Sequence, residues 1–356
     1  RHTRFKCDWS SDVCSSDLVS VTDRCNFRCV YCMPEEGAPV APKEALLSYE
    51  EIAHIVRVAA ELGVRKVRLT GGEPLVRKEL WKLVEAIAEI PGIDDLSMTT
   101  NGYLMESHAK LLADAGLHRI NVSLDSLLPE RFRQVCRGGE LERVLRGIEA
   151  ARKSGLSPIK VNAVAMRGIN DDEVAEFARW TLREPIHIRF IELMPIRWNM
   201  DESIDFKSSH VFAGGQGLIQ LRQAEEGMLT DAQMRRMAIS SDEVKARIED
   251  EVGLLTPAEI VTNGPARTYA LAGGVGTVGF ISQISNDLCV RCNRLRLTAD
   301  GYLRPCLMAD GELELRALLR GGATDGEIAN MFEHVVRHKP ERHYRSEERR
   351  VGKECR

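Results

Sequence analysis

This chain of 356 residues lacks the sequence features that mark membrane-spanning, secreted and nucleic-acid-binding proteins. No uninterrupted apolar run is long enough to span a bilayer, and no signal peptide is recognisable, so we expect no membrane association. The net charge is only −4 at pH 7, whereas a general nucleic-acid surface is usually strongly basic, so we expect no nucleic-acid partner. The length predicts one large domain and a smaller one.

A fourth cysteine is missing beside Cys25, Cys29 and Cys32, which form a CxxxCxxC pattern in the run TDRCNFRCVYC. Three thiolates can hold three irons of a four-iron cube and leave the fourth iron open to an exchangeable ligand. This pattern is typical of enzymes that cleave S-adenosylmethionine to a radical, a chemistry that side chains alone do not supply. Structural zinc, the alternative, requires four closed ligands, and no nearby His completes such a set.

A second set of three cysteines, Cys289, Cys292 and Cys306, also lacks a fourth member. If this set holds a cluster, that cluster too has an iron open to a non-protein ligand. Arg294 and Arg296 alternate along a predicted strand and therefore point to one face, where paired guanidiniums suit phosphate oxygens. The alternative is half of a zinc ribbon beside two solvated arginines.

Disulfide pairing of these clustered thiols is not expected. Disulfide frameworks belong mainly to small secreted domains, whereas this chain is long and carries no secretion signal. Thiolate-bound metal in a reducing compartment fits better, so we predict a cytoplasmic protein. Cys136 belongs to neither set and is interpreted as an ordinary buried or loop thiol.

The two ends of the chain look foreign to the rest. Residues 1–18 and 346–356 show no helix or strand period, and both resemble translated sequencing-adapter sequence. We interpret them as non-native segments and leave them out of the fold argument, with genuine loose tails as the alternative.

Between the ends, strand and helix patterns alternate. Strands rich in β-branched residues, separated by amphipathic helices, predict an α/β fold with a parallel sheet, either open or closed into a barrel. The predicted strands are 19–22, 66–70, 96–99, 119–124, 159–164 and 187–193. The predicted helices follow a capping box at Ser48, follow Gly71-Gly72-Glu73-Pro74, and begin near Ser107, at Leu141, at a cap on Asn170 and at Ser240.

The most distinctive motifs follow the predicted strands. Ligands gather at the carboxyl ends of parallel strands in both open sheets and barrels. The cysteine loop and the segments 71–74, 99–102, 123–126 and 194–195 all stand at such ends and predict an active-site rim. We predict a partial barrel over residues 19–198, an insertion over 199–238 and a C-terminal region over 239–345.

The first motif in its full form, together with CxxCNRLRLT and the distant Cys306, resembles the GTP 3′,8-cyclase family of radical S-adenosylmethionine enzymes. The resemblance covers about residues 19–344 apart from 199–238. It implies an incomplete (βα)6 TIM-like barrel of the radical S-adenosylmethionine type, closed laterally by a C-terminal auxiliary-cluster region. It also implies two [4Fe–4S] clusters, S-adenosylmethionine as cofactor and GTP as substrate.

The resemblance assigns roles position by position. The first cysteine set would hold the cluster that binds S-adenosylmethionine, and the second set would hold the auxiliary cluster, whose open iron meets guanine. The positions that match contacts to S-adenosylmethionine are Tyr31, Gly72, Ser123 and Met194. The positions that match contacts to GTP are Arg68, Thr99, Lys160, Arg294, Leu295 and Arg296. From the pattern alone, Arg68 and Lys160 fit solvated strand positions better, and the family match favours inward positions instead.

Two departures from the family stand at the ends. The family has an arginine seven residues before the first cluster cysteine, where this chain has Leu18, and it ends in Gly-Gly, where this chain ends Glu354-Cys355-Arg356. We therefore expect this polypeptide to turn over its substrate more slowly than a chain with both features.

The resemblance implies cyclisation of GTP to (8S)-3′,8-cyclo-7,8-dihydroguanosine 5′-triphosphate, the first step of molybdenum cofactor biosynthesis. The product would pass to cyclic pyranopterin monophosphate synthase. The electron donor is not specified by the sequence, and the oligomeric state stays open between monomer and homodimer. The alternatives are a radical enzyme that modifies a peptide, whose auxiliary domains usually carry more cysteines, and a non-catalytic zinc-binding module.

Overall fold

The computed structural model describes residues 16–37, 40–194, 229, 231–258, 265–285, 292–307 and 312–340, and the strands in these ranges form one sheet of twelve. The strands are β1 Ser16–Ser20, β2 Lys66–Thr70, β3 Asp95–Thr100, β4 Arg119–Ser123, β5 Ile159–Ala165, β6 Ile186–Glu192, β7 Leu255–Pro257, β8 Arg267–Leu271, β9 Thr277–Ile281, β10 Arg294–Leu297, β11 Tyr302–Arg304 and β12 Leu313–Glu314. The α-helices are α1 Tyr49–Glu61, α2 Leu80–Ala88, α3 Met105–Asp114, α4 Pro129–Cys136, α5 Leu141–Lys153, α6 Val174–Arg183, α7 Asp231–Met237, α8 Ser241–Glu251, α9 Leu315–Arg320 and α10 Asp325–Arg337, with 3-10 turns at Lys43–Ala45 and Pro74–Val76.

Strands β1 to β6 are neighbours in sequence order and are parallel, with helices on the crossovers. Val67 and Leu69 of β2 are fully buried in the same apolar core as Ile52 and Ile55 of α1. Because side chains alternate along a strand, the residue between them, Arg68, faces the opposite, inner side of the sheet. This pattern gives six βα units with helices outside and a polar interior, as the sequence predicted.

The C-terminal region extends the sheet at both ends of this parallel series. β9 pairs in parallel with β6 and carries the antiparallel strands β8 and β7. On the other side, β10 pairs in parallel with β1 and carries the antiparallel strands β11 and β12. The architecture is therefore an incomplete barrel completed by C-terminal strands, and the predicted fold class is confirmed.

The first strand begins earlier than predicted. β1 starts at Ser16, so residues 16–18 belong to the sheet, and the expectation that no strand lies within residues 1–18 is wrong for these three. Leu18 pairs with Arg68 of β2 on one side and with Arg296 of β10 on the other. A strand with hydrogen-bonded partners on both sides forms even where its own sequence shows little alternation of apolar and polar residues.

Two helical predictions need correction. The helix predicted from Asn170 begins at Val174 instead. The Asn170 side chain accepts a hydrogen bond from the Met166 amide and donates to the carbonyls of Asp125 and Val164, so it ties two strand ends together and caps no helix. Helix α4 was missed, although its buried residues Phe132, Val135 and Cys136 have helical spacing and Pro129 stands at its start.

Three helix starts have complete capping boxes, at Ser48, Ser240 and Thr324. The first two were predicted. The third opens α10, whose first residue, Asp325, accepts hydrogen bonds from His54 at 2.6 Å and Arg57 at 2.8 Å on α1. These contacts fasten the last described helix to the first helix of the barrel. Most of the predicted insertion 199–238 lies outside the described residues.

Candidate active site

The first cysteine set lies in the loop that follows β1. The Phe27 amide donates a hydrogen bond to the Cys25 sulfur at 3.4 Å, and the Arg28 guanidinium donates to the Cys25 and Phe27 carbonyls at 2.7 and 2.9 Å. The pKa of Cys32 is raised to about 12, mainly because the thiol is buried and also because of negative charge on Cys29 and Cys25. The three thiols therefore lie close together in a loop whose backbone is held by hydrogen bonds from the Arg28 side chain.

This loop docks on the end of helix α4. The Arg28 amide donates to the Cys136 carbonyl at 2.9 Å, and the Val30 amide donates to the Val135 carbonyl at 3.0 Å. The Cys136 thiol, followed by burial, raises the pKa of Cys29 well above its usual value. Cys136, which the sequence left without a role, is buried against the first cysteine set and is not an isolated core residue.

The loop after β2 holds the cysteine loop from the other side. The amides of Gly72 and Glu73 donate to the carbonyls of Thr22 and Arg24, at 2.8 and 2.7 Å. A Cβ on Gly72 would lie 2.1 Å from the Arg24 carbonyl oxygen, so no residue with a side chain fits there. Gly72, predicted to contact S-adenosylmethionine, is thus also required for the contact between the two loops.

The other predicted contacts to S-adenosylmethionine lie at the same carboxyl end of the barrel. The Tyr31 hydroxyl donates to Asp125 Oδ2 at 2.7 Å, and the Val164 amide donates to Asp125 Oδ1 at 2.8 Å. Ser123 is the last residue of β4, and Met194 follows β6 by two positions. The four predicted positions therefore surround the mouth of the barrel beside the cysteine loop, and their contacts to a ligand stay predictions.

Basic side chains line the interior below this mouth. Lys160 and Arg189 are each only 6% exposed. Burial, followed by the positive charges of Arg119, Arg189 and Arg68, lowers the pKa of Lys160 to about 7. Burial, followed by the charges of Arg68, Arg119 and Arg294, lowers the pKa of Arg189 to about 9. Burial, followed by the charges of Arg119 and Arg294, lowers the pKa of Arg68 to about 10. The sequence left Lys160 and Arg68 open between a solvated and an inward position, and the structure places both inward.

Buried cations that repel one another need an anion to compensate them. Asp95 meets part of this need through its ion pair with Arg119. Arg189 donates to the side-chain oxygens of Asn162 and Asn121 at 2.9 and 2.7 Å, and these neutral partners leave its charge uncompensated. The cavity is therefore suited to a ligand with several negative charges.

The second cysteine set lies at the opposite end of the barrel. Arg294, the first residue of β10, pairs with Ser16, the first residue of β1, so Cys292 precedes the amino ends of both strands. The β10–β11 hairpin, with Arg296 opposite Arg304, brings Cys306 to the same end as Cys292. β1 alone spans about 15 Å, and this length separates the second set from the motifs at the carboxyl ends. Cys289 lies outside the described residues.

The predicted GTP positions divide between two faces. Arg296 is oriented inward beside Arg294, and burial together with Arg294 lowers its pKa to about 10. Thr99 also lies on the inner face, where its hydroxyl accepts a hydrogen bond from Asn121. Leu295 is fully buried in the outer apolar core, so its side chain does not face the cavity and only its backbone is available to a ligand there.

The three thiols of the first cysteine set suit an iron–sulfur cube. A cube binds each thiolate at a different iron, which requires the three sulfurs to be near one another but apart. The backbone hydrogen bond to Cys25 is of the kind that stabilises cluster ligands.

Comparisons with known proteins agree with this arrangement. Residues 19–181 match the family model of the Radical SAM superfamily, and residues 218–345 match that of Molybdenum Cofactor Synthesis C. The chain is 45% identical over 324 residues to a GTP 3′,8-cyclase of Thermodesulfovibrio yellowstonii, with 91% of each chain covered. It is 46% identical over 331 residues to that of Heliobacterium modesticaldum, with 93% of this chain and 92% of the relative covered. The chain belongs to the GTP 3′,8-cyclase family.

Membership in the GTP 3′,8-cyclase family confirms that the chain is a radical S-adenosylmethionine enzyme with an iron–sulfur cluster. It rules out the non-catalytic zinc module. The second family match begins at residue 218, inside the segment 199–238 for which we predicted an insertion, and the other domain boundaries stay predictions. No helix in the described ranges is both long and apolar enough to cross a membrane.

Two cationic side chains that face the interior of the barrel were not predicted from the sequence. Arg189 stands on β6 between the core residues Ile188 and Phe190, and Arg119 opens β4 just before the core residue Ile120. The alternation that drew attention to Lys160 applies to both and could have found them. Leu18, whose neighbours across the sheet are Arg68 and Arg296, stands where the family arginine would join the same cations.

Proposed function

We propose that this protein cyclises GTP to (8S)-3′,8-cyclo-7,8-dihydroguanosine 5′-triphosphate in the first step of molybdenum cofactor biosynthesis. The observation that carries the proposal is the cavity between the two cysteine sets, whose buried cations lack matching anions. A triphosphate supplies several negative charges to such a cavity. The relatives that match over almost the whole chain are named for this reaction.

Cys25, Cys29 and Cys32 would hold the first cluster, and its open iron would take S-adenosylmethionine. When bound, this cluster supplies the electron that cleaves S-adenosylmethionine to methionine and a 5′-deoxyadenosyl radical. Tyr31, held by Asp125, and the Gly72 backbone would position the cofactor at the mouth of the barrel. The walls of the barrel would keep water and other hydrogen donors away.

Cys289, Cys292 and Cys306 would hold a second [4Fe–4S] cluster, which gives the protein two in all. Because Cys292 lies at the amino ends of the strands, a nucleotide between the two sites would point its guanine away from the first cluster and its ribose toward the mouth. Arg296 and Arg294 would bind it from the strand that follows the second cysteine set.

Lys160, Arg68 and Arg189 would bind the triphosphate of GTP. With the nucleotide fixed at both ends, the 3′ hydrogen would pass to the deoxyadenosyl group, and C3′ would bond to C8 of guanine. A second electron and a proton from outside complete the product. Such fixed geometry accounts for most of what a protein contributes to a radical ring closure.

The direct test is anaerobic reconstitution with iron and sulfide, followed by incubation with GTP, S-adenosylmethionine and dithionite. We expect about eight irons per chain, four for each cube, and a product with the mass of GTP whose 3′ hydrogen has moved to 5′-deoxyadenosine. Deuterium at C3′ of GTP should appear in 5′-deoxyadenosine. Deuterium that stays in the nucleotide would exclude the proposed reaction. Transfer of the product to a downstream synthase and the identity of the electron donor are further proposals.

GTP binding should be linked to the protonation of Lys160. The pKa of this amine is about 7 in the free protein, because burial and neighbouring arginines disfavour its charge, and a bound triphosphate should raise it. Affinity is then greatest below pH 7 and falls as the pH rises above 7, by up to about tenfold per unit. Calorimetry at pH 7 to 8.5 in buffers of different ionisation enthalpy should show proton uptake on binding. Lys160→Arg keeps its charge and should lose most of this uptake, and equal uptake in both proteins would contradict the assignment.

A further inference from the structure

Lys339 contacts the second cysteine set. Its ammonium donates to the Arg294 carbonyl at 2.5 Å and lies 3.8 Å from the Cys292 sulfur, within the distance of a hydrogen bond to sulfur. Both partners belong to the segment that carries a predicted cluster ligand and the predicted substrate arginines. One side chain therefore joins the backbone of β10 to a thiol at its amino end.

The position of Lys339 is fixed by the fold. It follows the end of α10 by two residues, and α10 is held to the barrel by the hydrogen bonds of Asp325 with His54 and Arg57. The Lys339 amide donates to the Val336 carbonyl at 3.2 Å, which continues the last turn of the helix. The ammonium thus reaches Cys292 from a rigid support.

The charges beside the two cysteine sets differ. Two carboxylates, Glu73 and Asp125, and one cation, Arg28, stand near the first set. Lys339, Arg294 and Arg296 stand near Cys292.

We propose that Lys339 is a positioning residue of the second cluster, donating a charge-assisted hydrogen bond to Cys292 that raises the reduction potential of this cluster above that of the first. The inference rests on the proposed function, because Cys292 must be a cluster ligand. Hydrogen bonds to ligand sulfurs and local net charge are two of the levers by which a protein sets the potential of an iron–sulfur cluster. A cation stabilises the reduced, more negative cluster more than the oxidised one.

The test uses the full chain with Cys25, Cys29 and Cys32 replaced by Ala, so that the second cluster is observed alone. Its midpoint potential is measured by anaerobic redox titration followed by electron paramagnetic resonance, with iron counted in parallel. Lys339→Met should lower the potential by at least the equivalent of a tenfold change in the reduction equilibrium, about 59 mV for one electron. Lys339→Arg should keep most of the potential. Arg337→Met, which removes a neighbouring cation paired with Glu333, should leave it unchanged.

The same titration on the chain with both clusters should show the second cluster reduced before the first. An unchanged potential in Lys339→Met with about four irons retained would overturn the role of Lys339 and leave the two-cluster proposal intact. Failure of the parent triple-Ala chain to hold iron would overturn the second cluster itself. Loss of iron from both Lys339→Met and Lys339→Gln would also overturn the tuning role, because the lysine would then be needed for assembly.

Discussion

Replacing Cys25, Cys29 and Cys32 together by Ala should abolish formation of 5′-deoxyadenosine while about half of the iron remains. The first cluster is the site at which S-adenosylmethionine would bind and take up its electron, and no other described group could replace it. The second set lies at the far end of the barrel, so its cube should assemble independently. Iron and sulfide analysis should give about four irons per chain in place of about eight, and chromatography should detect no 5′-deoxyadenosine.

Cys136 provides the matched control for this experiment. It is buried against Cys29 but stands on helix α4, outside the CxxxCxxC loop. Cys136→Ala should therefore keep the full iron content, since it removes a neighbouring thiol and no ligand. Loss of four irons in this variant, or an unchanged iron content in the triple variant, would show that the cluster is held by a different set of thiols.

Arg189→Gln should weaken GTP binding by one to two orders of magnitude. Arg189 is buried and its charge faces the cavity beside Lys160, so it should donate directly to phosphate oxygens. Each hydrogen bond to a charged group contributes about 1.5–3 kcal/mol, which corresponds to roughly tenfold to 150-fold in affinity. Equilibrium binding with GTP and with guanosine should show a large loss only for GTP, and S-adenosylmethionine binding should be unchanged.

Arg152→Gln serves as the control, because Arg152 is an exposed arginine paired with Glu149 on helix α5. It should leave every affinity unchanged. If Arg189→Gln weakened guanosine and GTP equally, Arg189 would lie beside the nucleoside and not beside the phosphates. If it weakened neither, the uncompensated charge in the cavity would have some purpose other than binding this substrate.

Much of the barrel could be predicted because its signals are local. β2 was placed correctly at both ends, as was the start of α5, and the helix starts at Ser48 and Ser240 were predicted from neighbouring residues. The first cysteine set and the loop at Gly72 were found for the same reason, since their spacing along the chain encodes their geometry.

Several of the features that were missed depend on residues far apart in sequence. β10 is four residues long and pairs with β1, almost 280 positions earlier, so nothing local indicated that Cys292 lies at the amino end of the barrel. The side chain of Asn170 binds strand ends that only the folded sheet brings together. Leu295 was predicted to contact GTP together with Arg294 and Arg296. Because side chains alternate along β10, the Leu295 side chain faces the apolar core instead.

The order of strands in the sheet has a consequence for the edges of the parallel series. The parallel series of the barrel begins with β1 and ends with β6, and both of these strands obtain their outer neighbours from the C-terminal region. Without that region, each would expose a row of unpaired backbone groups to other chains. The C-terminal strands therefore also protect both edges of the parallel series from pairing with other chains.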